Sequence, residues 1–286
     1  MSDLVSLSEL EVLVRQRADM INSKFVSESE VNSYINHSWS ELYDILASKS
    51  AADYFLSTSE FTLSSSQISY DLPSDFYKSR GVDLSIGSDV IPIRRYNWAE
   101  RSRSTQYNIA SQYRYRIQGN KIVFNPSPAG NSVVSLHYIP SPRKMQSVPV
   151  VSITNANPAV ITVAKHSFVA NDEINLHSFL PIDYNTTATV ASVTATTITT
   201  DLDASSFSTV ITNGTVESRF DFYSGWDEYV IVSAAIFCLI KEEADVEILQ
   251  VLKEQLRQRI ESMSEDRDVG EPLMVTDINN YYVIQI

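Results

Sequence analysis

The chain has 286 residues, of which 43% are hydrophobic and 20% charged, so it is long enough to bury a sizeable core in one or two domains. Its net charge of −13 argues against a protein whose main work is to hold nucleic acid through phosphate contacts.

The most apolar run also bears on the class of protein. Tyr229 to Ile240 is shorter than the ~20 residues that a membrane helix needs and contains Ser233, so it predicts a buried helix segment. The first residues show no basic region followed by an apolar stretch, so we expect no secretory signal and synthesis in a cytoplasm. The single cysteine, Cys238, lies in this run; it excludes a disulfide within the chain and favours a place in the core.

Two segments near the N-terminus have the spacing of amphipathic helices. Ser8 and Glu11 fit a capping box that opens a first helix. Ser27 and Glu30 fit a second box, which predicts a helix to about Ala47. One face of this second helix is predicted to be apolar: Val31, Ile35, Trp39, Leu42 and Leu46.

The period changes to two between the helices, which predicts strands and hairpins. Residues 113–117 alternate apolar and arginine side chains, and Gly119 and Asn120 then precede Ile122 and Phe124. Because a Gly-Asn pair between alternating segments is typical of a tight turn, this region is predicted to be a hairpin.

Residues 148–217 differ in composition from the rest, being rich in Thr, Val, Ala, Asn and Ser and poor in basic residues. The alternating stretches 160–163, 173–176, 189–193 and 197–202 are spaced like the strands of a small barrel or sandwich. Since the sequence on either side resumes the earlier core, we interpret the segment as an insertion whose two ends lie close together.

The longest helical pattern lies near the C-terminus. From Ser224 to about Met263 apolar residues recur at intervals of three and four, which predicts one long helix. The stripe consists of Trp226, Val230, Phe237, Ile240, Ala244, Ile248, Leu252, Leu256 and Ile260.

The patterns together predict an α+β fold. It would have an α-helical bundle core with a long C-terminal helix, a β wing of hairpins, an inserted small all-β barrel domain and an extended C-terminal tail. The predicted domains are a core of residues 1–147 and 218–269, the insertion of residues 148–217, and a tail of residues 270–286.

The tail is a candidate binding segment. It follows Pro272, which stops a helix, and it ends in an apolar, β-prone hexamer that needs another sheet to join. The residues predicted to bind a partner are Leu273, Val275, Tyr281, Tyr282, Val283, Ile284 and Ile286.

A basic and aromatic segment is a second candidate surface. Aromatic residues such as Tyr96 and Trp98 lie among its arginines, and such a mixture can stack bases and hold phosphates. In a chain this acidic, contact with acidic surfaces of neighbouring subunits is the preferred interpretation; a solvated surface and a DNA contact are the alternatives. The inter-subunit candidates are Arg94, Arg95, Arg101, Arg103, Arg114 and Arg116.

Catalytic and metal-binding patterns are not evident in the sequence. The four histidines are scattered, without the paired spacing of a zinc site. Asp201 and Asp203 resemble the start of a calcium loop but lack its glycine and distant glutamate. The chain has no Gly-x-Ser-x-Gly elbow and no glycine-rich phosphate loop. We therefore expect neither an enzyme nor a bound cofactor or metal.

Several stretches, taken in order, carry a resemblance to a known family. They are Val31 to Asn36, Trp39 to Asp44, Tyr70 to Tyr77, Tyr115 to Ile117 with Gly119, Phe124 to Pro126, Gly225 to Val230, Lys241 to Glu243, Arg267 with Asp268, and Gly270 to Pro272. In this order they resemble the head-to-tail adaptor (connector) proteins of tailed bacteriophages, which form a ring beneath the portal. The resemblance covers residues 27–147 and 218–277.

The insertion has a resemblance of its own. The matching residues are Ile153 to Val160, His166 to Phe168, Asn171 to Ile174, and Asn213 to Val216. They are similar to small β domains of phage structural proteins that are named after the FCCH domain of ubiquitin-activating enzymes, and they imply no ubiquitin chemistry. Ser167 and Asn171 stand where that pattern usually has glycine; Ser tolerates a left-handed backbone less well, so we expect the first turn to differ.

The resemblance implies a structural virion protein without enzymatic activity. It would form a dodecameric adaptor ring at the head–tail interface, continue the DNA channel and be made in the bacterial host cytoplasm. The implied partners are the portal protein, a tail tube or nozzle protein, further copies of the chain and double-stranded DNA in passage, with no membrane. An acidic surface suits a conduit, because it does not hold phosphates. The alternative is a carbohydrate- or receptor-binding tail appendage, with the insertion as its binding face.

Overall fold

The computed structural model describes residues 4–48, 52–65, 67–100, 113–126, 130–222 and 225–264. The described part contains four α-helices: α1 (Leu7–Arg17), α2 (Glu28–Ser48), α3 (Asp227–Lys241) and α4 (Glu247–Met263).

The described part has fifteen strands, of which fourteen lie between α2 and α3 and one lies before α1. They are β1 (Leu4–Ser6), β2 (Ser57–Thr62), β3 (Ser69–Asp71), β4 (Phe76–Ile86), β5 (Asp89–Pro92), β6 (Arg94–Arg95), β7 (Arg114–Gln118), β8 (Lys121–Asn125), β9 (Val133–Pro140), β10 (Ser147–Ile153), β11 (Val160–Val163), β12 (Glu173–His177), β13 (Thr187–Val193), β14 (Thr197–Thr200) and β15 (Thr215–Asp221).

The predicted α-helical bundle core is wrong. Strands make up 35% and helices 30% of the described residues, whose buried apolar side chains form three separate clusters. The first cluster belongs to the helices, the second to a closed barrel, and the third lies between two four-stranded sheets. The helices therefore form one of three cores, because the Ser- and Thr-rich strands build two further cores of their own.

The prediction for α2 is confirmed. The helix spans Glu28–Ser48, and its Val31, Ile35, Trp39, Leu42 and Leu46 are all buried. The Glu30 carboxylate accepts the backbone N–H of Ser27 at 2.9 Å, as one half of a capping box does. The apolar face of α2 packs against α3 and contributes the largest share of the helical cluster.

The first helix begins earlier than the sequence pattern predicts. Ser6, not Ser8, is the N-cap of α1, and it forms a complete capping box with Glu9. Ser8 instead donates both its backbone N–H and its hydroxyl to the carboxylate of Glu217, at 3.0 and 2.8 Å. The predicted Ser8–Glu11 box is therefore wrong, since a contact with a residue far away in sequence takes up Ser8.

The prediction of a single long C-terminal helix is also wrong, because the structure has two helices there, α3 and α4. The chain turns between Lys241 and Glu247, where Glu243 has a left-handed φ of 56°. Glu243 N–H donates to the carbonyl of Ile240, and Ala244 N–H donates to that of Leu239. These two bonds form a Schellman motif, in which glycine usually occupies the left-handed position.

The two four-stranded sheets form a sandwich. Their strand orders are β2-β9-β4-β5 and β3-β8-β7-β6. The predicted hairpin is confirmed: β7 pairs with β8, with Tyr115 opposite Phe124 and a turn at Gly119, whose φ is 58°. Tyr115 and Phe124 are buried between the sheets, whereas Arg114 is exposed on the outer face.

Strands β10 to β15 close into a barrel in the order β15-β10-β11-β14-β13-β12, with β12 pairing back to β15. The first and last strands lie side by side, with Ser147 opposite Glu217. Beyond the barrel β15 continues and pairs with the N-terminal β1, with Leu4 opposite Asp221. One strand thus joins the barrel to the start of the helical part.

Candidate functional site

Four of the six candidate arginines lie together at one edge of the sandwich. The short strand β6 runs parallel to β7, with Arg94 opposite Arg114 and Arg95 opposite Tyr115. Arg94, Arg95 and Arg114 are exposed and Arg116 is partly buried. Among the described strands β6 ends its sheet, so these side chains surround a sheet edge. Arg101 and Arg103 lie outside the described residues.

Buried neighbours hold β6 in place. Ile93 and Tyr96, on either side of the two arginines, are both buried. The backbone N–H of Ile93 donates to the carbonyl of Val82 at 2.9 Å, and that of Tyr96 to the carbonyl of Tyr115 at 3.0 Å. Because both flanking residues are anchored, the pair between them is presented to solvent.

The arginines have an aromatic neighbour. The guanidinium of Arg116 lies 5.4 Å from the centre of the Trp98 ring, within cation–π range. Trp98 is 49% exposed. This edge therefore offers charge and apolar area together, which is the composition of a protein contact surface and also of a nucleic-acid contact.

The second candidate site, the C-terminal tail, lies outside the described residues. Its predicted partner-binding residues are Leu273, Val275, Tyr281, Tyr282, Val283, Ile284 and Ile286.

A cleft that the sequence pattern does not reveal lies where the three cores meet. Its volume is about 740 Å³, and Trp39, Tyr43 and Phe55 of the helical part line one wall. Arg143 and Asp172 also line it and form an ion pair between the chain after β9 and the barrel. Its described lining contains no histidine or cysteine, so it has no imidazole or thiol to act as a base or nucleophile. Only tertiary structure assembles this site, since its residues come from distant segments.

Carboxylates cluster where α1 and α2 meet the barrel. The buried carboxylate of Glu217 accepts hydrogen bonds from Ser8 and from the amide of Asn175 at 2.7 Å. Burial and the nearby charges of Glu28 and Glu217 raise the pKa of Glu11 to about 7, although a hydrogen bond from Asn32 opposes the shift. The Glu11 carboxyl group, beside the contact that anchors α1 to the barrel, is therefore harder to ionise than an ordinary glutamate.

A second charged group holds α4 against its neighbours. Lys253 donates to Glu41 of α2 at 2.7 Å and lies 5.5 Å from the ring centre of Tyr229. Burial is the largest single influence and acts to raise the pKa of Glu41. The hydrogen bond and charge of Lys253, with hydrogen bonds from Tyr229 and Ser233, together outweigh burial, and the pKa is lowered. Burial, followed by the Glu41 charge, raises the pKa of Tyr229. This cluster is a structural tether.

The remaining polar residues have local structural roles. Asp203 accepts the backbone N–H and hydroxyl of Ser205, at 3.0 and 2.6 Å, as a turn does. His137 lies between Thr58 and Asp83, at 2.9 and 3.1 Å. Within the described ranges, no group of three or more His, Cys, Asp or Glu side chains is placed to hold a metal ion. The described helices include none that is long and apolar enough to span a membrane.

Comparison with known proteins identifies the chain through its N-terminal half. Residues 6–166 match the family model described as SU10 adaptor protein. The match covers α1, α2, the sandwich and the first strands of the barrel. No curated protein matches the chain. Because the matched residues are more than half of the 286, the chain belongs to the SU10 adaptor protein family, a family of structural proteins, and is a phage adaptor-type protein.

Proposed function

We propose that this protein forms a ring, dodecameric by resemblance, that joins the portal of a phage head to the tail tube or nozzle and continues the DNA channel. Membership of the SU10 adaptor protein family carries the proposal. The net charge of −13 supports it, because an acidic wall does not retain the phosphates of passing DNA. In this role the protein is part of the virion at the head–tail interface.

We call the sheet edge that carries Arg94, Arg95, Arg114 and Arg116 the arginine edge, and we propose it as a contact between neighbouring copies. The chain has 35 acidic and 22 basic residues, so most surfaces that a basic edge can meet on another copy are acidic. Arg94 and Arg95, with Arg101, Arg103, Arg114 and Arg116, would then stabilise the ring rather than hold DNA. The alignment of Arg94 with Arg114 supports this, since it concentrates charge at one edge.

The C-terminal tail is proposed as a segment that binds the lower rim of the portal or a neighbouring copy of the chain, and so is needed to attach the ring to the portal. Tyr282, Ile284 and Ile286 alternate with Tyr281, Val283 and Gln285, which suits addition as a strand to a sheet of the partner. Deletion of residues 273–286 should leave the chain folded but abolish binding to portal rings in a pull-down. Unchanged affinity of the truncated protein would contradict this assignment.

Residues 148–217 are proposed as a separate domain inserted into the adaptor, related to the FCCH-like phage domains. The closed barrel and the adjacency of Ser147 and Glu217 support an insertion, because both ends leave from one place. Replacing residues 150–216 with a short Gly/Ser linker should preserve the helical circular dichroism signal and a cooperative melt. Loss of that melt would show that the barrel is integral to the core.

The central experiment is negative-stain microscopy of the protein with and without its portal. An adaptor should give a ring coaxial with the portal, whereas a receptor-binding appendage should attach elsewhere or not at all. Without the portal at low salt, repulsion between copies of charge −13 should keep the protein mostly monomeric in sedimentation. A stable dodecamer of the free protein at micromolar concentration would contradict the need for a portal template.

A further inference from the structure

The bend between α3 and α4 exposes apolar residues that the sequence pattern predicts to be buried. Ile240, at the end of α3, is 52% exposed; Ile248 and Val251, in the first turns of α4, are 81% and 56% exposed. In α4, all of which the structure describes, Ile260 alone is fully buried. Leu249 and Leu256 pack in part against the helical cluster. Ile248 and Val251 instead form an exposed apolar face at the start of the helix, which nothing in the described part of the chain covers.

Acidic residues surround this apolar face. Glu242, Glu243 and Glu247 are exposed. Asp245 accepts the backbone N–H of Glu247 at 2.9 Å and so belongs to the start of α4. We call this surface the acidic elbow: Ile240, Ile248 and Val251 with Glu242, Glu243 and Glu247. Its charge excludes a nucleic-acid ligand, because phosphates would be repelled.

The arginine edge belongs to a surface with the opposite composition. The chain passes from β5, the edge of one sheet, to β6, the edge of the other, at the buried Ile93. Around this corner Val90 is 63% exposed, and Ile86 and Trp98 are also exposed. We call this surface the basic corner: Ile86, Val90 and Trp98 with Arg94, Arg95 and Arg116.

We propose that the acidic elbow of one copy docks on the basic corner of the next copy of this chain. Each surface combines exposed apolar residues with a majority of one charge: three glutamates on the elbow, and three arginines against the single exposed Asp89 on the corner. The majority charges are opposite, so the surfaces match in composition and in sign. This inference rests on the proposed ring and names the two faces that close it.

The placement of the two surfaces suits contact between copies. Helix α4 packs on α2 and α3, whereas β6 pairs with β7 of the sandwich. Because the two surfaces lie on different elements, one copy can offer its elbow to one neighbour and its corner to the next, and such a head-to-tail contact repeats around a ring. Each copy carries a net charge of −13, so two copies repel each other overall. Attraction between the glutamates of the elbow and the arginines of the corner would offset this repulsion at the contact.

The test is thiol crosslinking of the full chain. The variant with Val90→Cys and Ile248→Cys, treated with a short bismaleimide at moderate salt, should give a ladder of multimers on a denaturing gel. Native Cys238 does not interfere, because it is buried and burial raises its pKa to about 11. Each single variant should stop at dimers. The control carries Ile211→Cys, an 84% exposed barrel residue, in place of Val90→Cys and should give no ladder above dimers.

Charge reversal provides the second measurement. In the two-cysteine background, Glu247→Arg or Arg94→Glu alone should lower the ladder yield ~5-fold, and both together should restore it. A ladder equal to the Ile211 control, or no ladder although both thiols react with a monofunctional maleimide, would overturn the proposal. A third outcome would also overturn it: the Ile248→Cys thiol is protected from the maleimide in the full chain and reacts once residues 265–286 are removed. The chain's own tail would then cover the elbow. Rings coaxial with the portal, formed without this crosslink, would overturn the docking and leave the proposed function standing.

Discussion

The barrel and helix α4 bury their apolar residues to very different extents. In the barrel, residues such as Ile161, Ile174 and Val190 are completely buried, and closure leaves no free edge among its six strands. Helix α4 has a comparable apolar stripe but fully buries Ile260 alone. The barrel is therefore stabilised within one chain, whereas the start of α4 leaves Ile248 and Val251 exposed.

Gly214 tests how tightly the barrel is packed. A Cβ at this position would clash with the carbonyl oxygen of His177 and would lie 2.5 Å from the Phe179 ring. The backbone at His177 and the buried ring would both have to shift to make room for it. Gly214→Ala should destabilise the protein by about 4 kcal/mol in urea unfolding, at the upper end of overpacking effects. Gly81→Ala is the matched control, because nothing lies within 4 Å of its Cβ. Equal stability of the two variants would mean that the barrel yields easily.

Ile260 and Ile248 compare two positions in one helix. Ile260 is 1% exposed within the helical core and Ile248 is 81% exposed. Ile260→Ala should cost about 3 kcal/mol of unfolding free energy, since it removes buried methyl groups and leaves a cavity. Ile248→Ala should change it by less than about 0.5 kcal/mol. Equal losses in chemical denaturation would show that the first turns of α4 are buried within the monomer.

Glu11 tests the junction between the helices and the barrel by pH. Its folded pKa, raised to about 7, lies above the ordinary value of 4.5, so the protonated side chain favours folding. This contribution is fully present below about pH 4.5 and is lost as the pH rises through about 7. Glu11→Gln should therefore be more stable than the wild-type protein at pH 8, by about 1 to 2 kcal/mol after allowance for solvent screening, and show little difference near pH 4.

The control for that prediction is Glu254→Gln, an exposed position on α4. Both variants and the wild-type protein are compared by urea unfolding at pH 4 and pH 8. The interpretation of the Glu11 environment would be wrong if Glu11→Gln and Glu254→Gln showed the same pH profile.

Glu243 tests the bend itself. Its φ of 56° is costly for a residue with a Cβ and free of cost for glycine. Glu243→Gly should stabilise the bent form by about 0.5 to 1 kcal/mol, as seen in thermal unfolding. Glu242→Gly, one residue earlier with a φ of −82°, should destabilise it by a similar amount, since glycine there only adds disorder to the unfolded chain. Loss of stability in Glu243→Gly would indicate that α3 and α4 form one continuous helix.

The sequence by itself predicts the features that depend on neighbours in the chain. The apolar face of α2 and the hairpin of β7 and β8 follow from helical and two-residue periodicity. The resemblance to phage adaptors follows from the order of short local motifs, and the family match agrees with it. The six arginines are recognised from composition. Eighteen residues separate the end of β6 from the start of β7, so only the fold brings four of these arginines together.

Tertiary structure decides the features that depend on residues distant in sequence. Ser8 donates its hydrogen bonds to Glu217 of the barrel, and Ser6 is the residue that caps α1. The apolar stripe from α3 to α4 continues unbroken in sequence, yet the chain bends at Glu243. Helical periodicity records only which residues share a face. Whether that face is covered depends on the elements packed beside it. At the start of α4, Leu249 packs against the helical cluster, whereas the described residues leave Ile248 and Val251 exposed.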